Sequence, residues 1–512
     1  MDNAKSIDFS EAGVYTDDSF MFDIDFASKR ARLAIRFFTY GVMAVASVVL
    51  TALLVLVALG YRLDRNFTFT QGGLMQFRSF PDSADVFIDG KRQSFHTPDK
   101  ANLTAGNHAV TMSLNGYRSW TKQITLAPGQ LLWLNYARMI PNAITTAPLK
   151  EYPAIGSTLP SPDRHWLLVQ MNQSAPDYTL VDYSDETKPQ FTNFQLPDSL
   201  FTKKDGTYGT FKLLEWDLQS KYVLIEHDNG DTVEFARLDR SRPADAVNLT
   251  KMFGLNIRQA HFSGNSPNAI FAKTDDVLRR LDIGGPTASG ALVSGLRDFT
   301  IYGEDTIAFT SIQDKTTSDV ASRVQQIGIY RHGKITPVRE VSVNQQVKLA
   351  YNEYDTHDYL AIGSTDSPTI EIIRDATATG TSKEASVFTQ FDLGAPLVSL
   401  GFSSNGRMLV AQHGNKLATY DIETARAFTK TFDFGSAQTS TFKWLDDYYL
   451  WSDDGGTLRI FEFDGTNDHE ITTVAAGFDV MLSANGKQLL SVGKNDVAHT
   501  LLLQASKLTN AN

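Results

Sequence analysis

The side chains that most often do chemistry are spread through this 512-residue chain without a recognisable constellation. Its ten histidines include no His-Glu-x-x-His and no His-x-His pattern, so their spacing does not predict a metal site. Asp453-Asp454-Gly455-Gly456 and Asp228-Asn229-Gly230-Asp231 offer the oxygen ligands of a calcium loop, but not the spacing of an EF-hand. We interpret both as hairpin turns, because each lies between two strand patterns.

Nucleophilic and cofactor chemistry also lack their sequence signatures. A serine hydrolase needs Gly-x-Ser-x-Gly on a sharp turn, and the stretch from Gly401 to Gly406 only resembles it. No Gly-rich phosphate loop follows a predicted strand. The chain has no cysteine, which excludes disulfides, zinc fingers, iron–sulfur centres and thiol nucleophiles. The sequence therefore predicts no catalytic residue, no cofactor and no metal ligand, and favours a protein that is not an enzyme.

Length and charge limit the number of domains and the kinds of partner. A chain of 512 residues is long enough for two or three folded domains beside any tail or anchor. Its net charge is −11, and it shows no basic domain with clustered Lys and Arg. Nucleic-acid-binding surfaces are basic, so we expect no nucleic-acid partner.

Residues 37–61 form a run of 25 positions without a charged side chain. At about 1.5 Å rise per residue, a helix of this length crosses a hydrocarbon core of roughly 30 Å. We therefore predict one transmembrane helix over 37–61. A cleaved signal peptide is the alternative, because Ala58-Leu59-Gly60 resembles the small-residue pattern before a cleavage site. The length of the run favours an uncleaved anchor.

Basic residues before the apolar run predict its orientation. Arg62 and Arg65 follow the run, interleaved with Asp64. The four that precede it are Lys29, Arg30, Arg32 and Arg36. Lys and Arg near a spanning helix are retained preferentially on the cytoplasmic side. We expect a cytoplasmic N-terminus in the plasma membrane, with the bulk of the chain outside the cell.

We predict that the first 36 residues form an acidic, disordered cytoplasmic tail with a basic end beside the membrane. Residues 1 to 28 contain seven acids and one base, Lys5, which is too much charge for an independent core. Five aromatic residues are spaced among the acids, from Phe9 to Phe26. They leave two interpretations open, a docking motif for a cytoplasmic partner and a solvated leader without a partner.

Residues 73–140 show short alternating runs broken by turn residues, which is typical of a small antiparallel β domain. The predicted strands are Leu74–Phe80, Asp85–Ile88, His108–Leu114, Trp120–Leu126 and Leu131–Arg138. The second ends at Asp89-Gly90, a dipeptide that supplies the positive φ angles of a type I′ turn.

The marker residues of this segment resemble the PEGA domain family. The matching positions are Pro81, Ala84, Asp89, Gly90, Thr97, Pro98, Gly106, Gly116 and Tyr117. The namesake tetrapeptide stands here as Pro81-Asp82-Ser83-Ala84, and Phe95-His96 replaces the Gly often found before Thr-Pro. The resemblance implies an all-β module of roughly 70 residues, a prokaryotic source, and a spacer or adhesion role without chemistry.

Each marker residue also has a structural role that needs no ligand. Pro81 fixes φ at a strand entry, glycines permit turns, and we expect Tyr117 to pack at an edge of the core. A binding site at Gly116-Tyr117 or at His96 is the functional alternative.

The remainder of the chain repeats. Five prolines between Pro141 and Pro162 predict a linker over 141–158. From 159 to 508 a strand, a polar turn and a second strand recur in eight units, with the clearest turns at Asn405-Gly406 and Asn485-Gly486. Residues 145–512 number 368, and eight units of 46 residues each suit a four-stranded propeller blade.

We therefore predict an all-β ectodomain behind one transmembrane helix. It comprises the small PEGA-like β-sandwich and a β-propeller of seven or eight blades, with eight favoured. Ser161-Pro162-Asp163-Arg164 and the two Asn-Gly turns resemble TolB-type propeller repeats. The tryptophans Trp166, Trp216, Trp444 and Trp451 are interpreted as core residues between blades.

Two classes of function fit this organisation. The first is a membrane-anchored binding or scaffolding protein of the cell envelope, whose propeller presents a surface to a protein or cell-wall glycan. The second is an extracytoplasmic enzyme or sensor with a site at the central channel of the propeller. The fold serves both, and the missing catalytic motifs favour the first.

Overall fold

The computed structural model describes residues 29–58, 61–63, 69–264, 266–317, 320–377, 386–434 and 442–510. The chain divides into two compact units. We call them the helix unit, residues 1–76, 100–107 and 125–133, and the propeller unit, residues 77–99, 108–124 and 134–512.

The N-terminal helix α1 covers Lys29–Ala58. It contains the apolar stretch Leu33–Val57, 25 residues with a mean hydropathy of 2.5, which is long and apolar enough to cross a membrane. The helix begins before the predicted span of 37–61, at Lys29, and the C-terminal end of that span is corrected, because Tyr61 belongs to a strand. Lys, Arg, Ala and Leu are good helix formers, so the basic end of the predicted tail continues the helix. The rest of that tail, residues 1–28, lies outside the described residues.

The small β domain consists of eight strands in two sheets, one of order β1-β2-β5 with β8 beside β2, and one of order β4-β3-β6-β7. The strands are β1 Tyr61–Leu63, β2 Phe69–Phe80, β3 Asp85–Ile88, β4 Lys91–His96, β5 Asp99–Thr104, β6 Gly106–Ser113, β7 Trp120–Leu126 and β8 Leu131–Arg138. Asp89 and Gly90 have φ angles of 50° and 76°, as a type I′ turn requires. The predicted bounds of β3, β7 and β8 agree with the structure, whereas β4 and β5 were not predicted.

Eight further antiparallel sheets follow in the described part of the chain, and each supplies one propeller blade. The first blade contains β10 Ser157–Pro160, β11 Trp166–Gln170, β12 Asp177–Asp182 and β13 Gln190–Gln195, and the second contains β14 Thr210–Trp216, β15 Tyr222–Asp228, β16 Val233–Asp239 and β17 Val247–Asn248. The third blade contains β18 Ile257–Ser263, β19 Ser266–Thr274, β20 Val277–Asp282, β21 Thr287–Ala288 and β22 Val293–Ser294. The fourth blade contains β23 Leu296–Tyr302, β24 Thr306–Thr317, β25 Val320–Arg331 and β26 Lys334–Val341. A short helix, α2 Leu249–Phe253, follows β17.

The last four blades complete the ring. The fifth blade contains β27 Val347–Tyr354, β28 His357–Ser364, β29 Ser367–Arg374 and β30 Thr389–Asp392, and the sixth contains β31 Ser399–Phe402, β32 Met408–His413, β33 Lys416–Asp421 and β34 Arg426–Thr431. The seventh blade contains β35 Lys443–Trp444, β36 Tyr449–Ser452, β37 Thr457–Glu462 and β38 His469–Thr473. The eighth blade contains β39 Met481–Leu482, β40 Gln488–Asn495, β41 Thr500–Lys507 and, from earlier in the chain, β9 Thr146–Tyr152. The predicted propeller is confirmed, with eight sheets.

Strand β9 corrects the predicted linker over 141–158. It pairs with β41 from Leu501↔Tyr152 to Ser506↔Thr146, so the eighth blade is built from both ends of the propeller sequence. The prolines of this segment suggested an irregular connection. Pro148 is tolerated because β9 is the outermost strand of its sheet.

Apolar clusters between successive blades form the core of the propeller. Eight such clusters follow the blade order, and each joins two neighbours. The last joins Met481 and Leu490 of the eighth blade to Leu167 and Val169 of the first, which closes the ring. Trp216 and Trp451 lie within these clusters, and Trp166 and Trp444 pack against them.

The recurring turns share one hydrogen-bond pattern. Asn405 Oδ1 accepts from Ser403 Oγ at 2.8 Å and from the Arg407 backbone N–H at 3.0 Å. Gly406 adopts a φ of 76°, and its N–H donates to the Ser403 carbonyl at 2.9 Å. Asn485 and Gly486 repeat the arrangement, with a φ of 73° at the glycine.

Candidate functional site

A lysine occupies an inward position of β7. The strand alternates buried and exposed residues, and Lys122 takes a buried position between Trp120 and Ile124. Its side chain is only 6% exposed and forms an ion pair with Glu462. The Nζ atom lies 2.7 Å from Asp464 Oδ2 and donates to Thr466 Oγ1 at 2.9 Å. The three partners stand at the end of β37 and in the following turn, so Lys122 joins the small β domain to the seventh blade.

Glu462 is fully buried and accepts from several donors. Trp120 Nε1 and Lys122 Nζ donate from β7. The Tyr449 hydroxyl donates at 2.9 Å and Asn467 Nδ2 at 3.0 Å from within the seventh blade. A buried carboxylate requires such compensation, because removing one partner of a buried ion pair typically costs about 3–5 kcal/mol.

The ionisation of the pair follows from its burial. Burial raises the pKa of Glu462 above its ordinary value, and Lys122 offsets part of that effect. Burial alone would lower the pKa of Lys122, but Glu462 and Asp464 outweigh it, so the pKa of the ammonium is raised. Lys122 is therefore a permanent cation at physiological pH.

Aromatic side chains surround the ion pair. Tyr136 of β8 stacks on Tyr448 with ring centroids 4.7 Å apart and meets Trp120 edge-on at 6.0 Å. Lys122 Nζ lies 4.8 Å from the centroid of the Phe463 ring, within the range of a cation–π interaction. Burial raises the pKa of both Tyr136 and Tyr448, so each hydroxyl stays protonated.

Arg138 makes a second connection at the end of β8. Its Nη1 donates to the Gly486 carbonyl at 2.9 Å, and Nη2 donates to Asp446 Oδ2 at 3.0 Å. Its backbone N–H donates to the Tyr449 hydroxyl at 3.2 Å, which in turn donates to Glu462. The arginine thus joins the small β domain to the seventh and eighth blades.

A cleft of about 350 Å³ lies beside this connection. Its lining comes from β2, from β8 and from the turns between the first two strands of blades one, seven and eight. The lining includes Arg78, Tyr136, Arg138, Arg164, Tyr448 and Asn485. The cleft is the candidate binding site of the propeller unit, at the lower end of the roughly 300–1,000 Å³ of small-molecule pockets.

The marker residues of the small β domain hold its own turns. Asp89 Oδ1 accepts from the Ala109 N–H at 2.9 Å, and its Oδ2 lies 2.8 Å from His108 Nδ1. The hydrogen bond from His108 lowers the pKa of Asp89. Thr97 Oγ1 accepts from the Ala84 N–H at 2.9 Å, and Thr97 precedes a cis bond to Pro98, as Phe80 does to Pro81. Comparison with known families matches residues 73–139 to the PEGA domain.

Residues 73–139 are a PEGA domain. Its Gly116-Tyr117 turn contacts the end of the propeller sequence. Asn510 donates from its backbone N–H to the Tyr117 hydroxyl at 2.8 Å and from Nδ2 to the Gly116 carbonyl at 3.2 Å. These two marker residues therefore connect domains, which their sequence pattern did not predict.

The chain is also similar to solved propeller structures. It shares 14% identity with Kluyveromyces lactis Hsv2, covering 70% of this chain and 98% of that chain, with a TM-score of 0.37. An oligogalacturonate lyase in complex with manganese has 12% identity, coverage of 72% and 98%, and a TM-score of 0.38. Another, from Vibrio parahaemolyticus, has 12% identity, coverage of 58% and 88%, and a TM-score of 0.36. No curated protein matches the chain.

The structure places the residues singled out from the sequence in different parts of the molecule. The topology residues Lys29, Arg30, Arg32 and Arg36 lie in the first turns of α1. Asn485 and Gly486 line the cleft. His96 lies 2.9 Å from Asp85 on an exposed strand, outside the cleft. Gly106 stands at the start of β6, in the helix unit.

The main residues of the junction between the PEGA domain and the propeller were not predicted. Lys122 carried a signal, because a lysine interrupts the inward series Trp120, Ile124 and Leu126. Glu462 and Arg138 carried no such signal in the sequence, because each is a charged residue at the end of a strand, as many surface residues are.

The inner strands of the propeller carry a second polar contact. His261 Nδ1 lies 2.8 Å from Glu215 Oε2, and Glu215 Oε1 accepts from the Phe262 N–H at 2.6 Å. The pair bridges the first strands of blades two and three. Among the described residues, no three His, Cys, Asp or Glu side chains are placed to hold a metal ion.

Proposed function

We propose that the protein is a membrane-anchored, extracytoplasmic binding and scaffolding protein of the cell envelope. Helix α1 anchors the chain in the plasma membrane with the N-terminus in the cytoplasm. The PEGA domain connects the anchor to the propeller, and the propeller presents a surface to a protein or cell-wall glycan. No nucleic acid takes part.

The buried contact of Lys122 with Glu462 carries this proposal. A buried ion pair with several hydrogen bonds fixes the orientation of the elements that it joins, since every donor must be satisfied at once. The contact therefore holds those residues of the PEGA domain that belong to the propeller unit, 77–99, 108–124 and 134–139, against the seventh blade. Such a contact suits a protein that holds a partner at a set place.

We infer from the strand order that the partner binds the face of the propeller opposite the contacts with the PEGA domain. The PEGA domain contacts turns between first and second strands, at Asp446 and Gly486, and a turn between third and fourth strands, at Asp464. In antiparallel sheets the remaining connections lie at the opposite ends of the strands. That face exposes Val497, 95% accessible, and Val398, 50% accessible.

Photo-crosslinking in intact cells tests the proposal. A photo-reactive amino acid replaces Val497 or Val398 in the full chain, and a matched control replaces Leu218, which is 60% exposed in a turn on the other face. We expect one envelope component to be attached from both valine positions and not from Leu218. Equal attachment from all three positions, or turnover of a small molecule by the purified chain without any adduct, would contradict the proposal.

A further inference from the structure

We propose that the cleft between the PEGA domain and the propeller binds an oxyanion, a carboxylate or a phosphate, carried on a polar ligand of about the size of a sugar. The inference deepens the proposed function and rests on it, because it names a ligand class for the domain junction of an envelope protein. Three observations lead to it: occupied acceptors, unoccupied donors, and local charge.

Three of the four carboxylate oxygens in the cleft already accept hydrogen bonds from the protein. Asp446 Oδ1 accepts from the backbone N–H groups of Tyr448 at 2.9 Å and Tyr449 at 2.8 Å, and Oδ2 accepts from Arg138. Asp447 Oδ1 accepts from Ser404 Oγ at 2.5 Å and from the Asn405 N–H at 3.1 Å. These carboxylates hold the turns that line the cleft. A ligand that needs acceptors would have to compete with those hydrogen bonds at every carboxylate oxygen except Asp447 Oδ2.

The donors of the cleft are largely unoccupied. Arg164 pairs with no carboxylate among the described residues, and Arg78 has its nearest acidic atom, Asp82 Oδ1, at 4.0 Å, beyond hydrogen-bonding distance. Asn485 uses its Oδ1 inside its own turn, which leaves its amide group as a donor. A ligand rich in acceptors fits this set.

The tyrosines add two further hydroxyls. Because burial raises the pKa of Tyr136 and Tyr448, both keep their protons at physiological pH and can donate. Their stacked rings place the two side chains together at the cleft. An oxyanion accepts several hydrogen bonds at once, which suits a site that combines phenol, amide and guanidinium donors.

The local charge is opposite to that of the whole chain. Among the residues that line the cleft, Arg78, Arg138 and Arg164 outnumber Asp446 and Asp447 by one charge, whereas the chain carries a net charge of −11. Asp82, whose Oδ1 lies 4.0 Å from Arg78, does not belong to the lining. A positive cleft in an acidic protein attracts an anion. The guanidinium fork matches the geometry of carboxylate and phosphate groups.

Calorimetric titration of the detergent-solubilised full chain tests this site. The probes are glucuronate, glucose 6-phosphate and glucose, so the first two distinguish carboxylate from phosphate and the third is the uncharged control. We expect at least one anionic probe to bind and glucose not to bind. Arg164→Gln and Arg78→Gln should each weaken binding about tenfold, since each variant removes one charge-assisted hydrogen bond to the anion. Arg258→Gln, at an exposed arginine of β18, is the matched control and should leave affinity unchanged.

Three results would overturn the assignment of the cleft. They are absence of binding by both anionic probes, equal binding of glucose, and equal loss of affinity in Arg258→Gln and Arg164→Gln. Each of these results leaves the proposed function standing, because membrane topology and attachment at Val497 are measured independently in cells. Conversely, oxyanion binding by a chain that attaches no envelope component would contradict the scaffolding role alone.

Discussion

Lys122 Nζ of the PEGA domain lies 2.7 Å from Asp464 Oδ2 in the seventh blade of the propeller. Both side chains are at least nine-tenths buried, at 6% and 8% exposure. Together with Glu462 they place three charges in an environment that excludes water. The contact explains why residues far apart in the sequence belong to one compact unit, and it makes the junction the most sensitive part of that unit.

Substitution of Lys122 should destabilise the propeller unit strongly. Lys122→Met keeps the length of the side chain but leaves Glu462 and Asp464 without their cation, so we expect a loss of about 3–5 kcal/mol in the free energy of unfolding. Denaturant unfolding of the purified chain measures this loss. Glu462→Gln in the same background should recover part of it, because the amide removes one uncompensated charge.

The matched control is an exposed ion pair. Lys204 lies 2.6 Å from Asp231, with side chains 47% and 62% exposed. Lys204→Met should cost less than about 1 kcal/mol, because water screens such pairs. Equal costs for the two lysines would show that the buried contact does not hold the domains together.

The stability of the junction should fall in mild acid through His469. Burial lowers the pKa of His469 to about 4, from an ordinary value of 6.5, and Arg118 contributes to the shift. The unfolded chain therefore takes up this proton at a higher pH than the folded chain. The neutral imidazole of His469 makes its full contribution to the free energy of unfolding above about pH 6.5, and this contribution is lost as the pH falls towards 4.

Measurement of the free energy of unfolding between pH 7 and pH 4 tests whether His469 causes this loss of stability. We expect roughly 1–3 kcal/mol of the pH-dependent loss to disappear in His469→Gln. His332→Gln is the control, because that side chain is 76% exposed. A pH profile that is unchanged in His469→Gln would rule out this residue as the source.

Gly406 should tolerate alanine less well than another glycine with the same backbone angle. Gly406 and Gly333 both have a φ of 76°. A Cβ at Gly406 would lie 2.2 Å from the Glu353 carbonyl oxygen, whereas a Cβ at Gly333 would meet nothing within 4 Å. Gly333→Ala should lower the free energy of unfolding by about 1–2 kcal/mol, which is the cost of placing alanine in the left-handed conformation. Gly406→Ala should cost about 1–3 kcal/mol more, from overpacking.

Thermal unfolding of the two alanine variants gives the comparison. If both lose the same stability, the turn before β32 can move away from β27, and the repeat turns are less rigid than their hydrogen bonds indicate.

Strand β9 should be essential to the closure of the ring. Tyr152 is 2% exposed and belongs to the cluster that joins the first and eighth blades. Tyr152→Ala should cost about 3–5 kcal/mol, as for other large aromatic truncations in a core. Tyr152→Phe should be nearly neutral, because the buried hydroxyl has no hydrogen-bond partner. An effect below about 0.5 kcal/mol for Tyr152→Ala would restore the interpretation of residues 141–158 as a linker.

The sequence predicted those parts of the fold that repeat or alternate locally. Strands β3, β7 and β8 were predicted because apolar residues occupy every second position and turn residues end them. The propeller was predicted because Asn405-Gly406 and Asn485-Gly486 recur with the same neighbours. Strands β4 and β5 were missed because most of their side chains are polar and only half-buried or exposed, so no alternation shows.

The candidate site depends on contacts between distant segments, which a local pattern cannot show. Arg164 replaces the glycine of a repeat turn and adopts a φ of 61°, yet its side chain reaches the cleft only because the first blade closes against the eighth. Glu462 ends a strand like several surface acids. Its burial follows from the position of β7, which the sequence of the seventh blade does not encode.

Cysteine labelling in intact cells tests the membrane-anchored, extracytoplasmic role most directly, because the chain has no cysteine of its own. Val497→Cys marks the open face of the propeller, and Ser6→Cys marks the N-terminal segment. A membrane-impermeant maleimide should label Val497→Cys in spheroplasts and Ser6→Cys only after lysis, both on a full-length membrane-bound chain. Labelling of Ser6→Cys alone, or release of a shorter chain into the medium, would contradict the account.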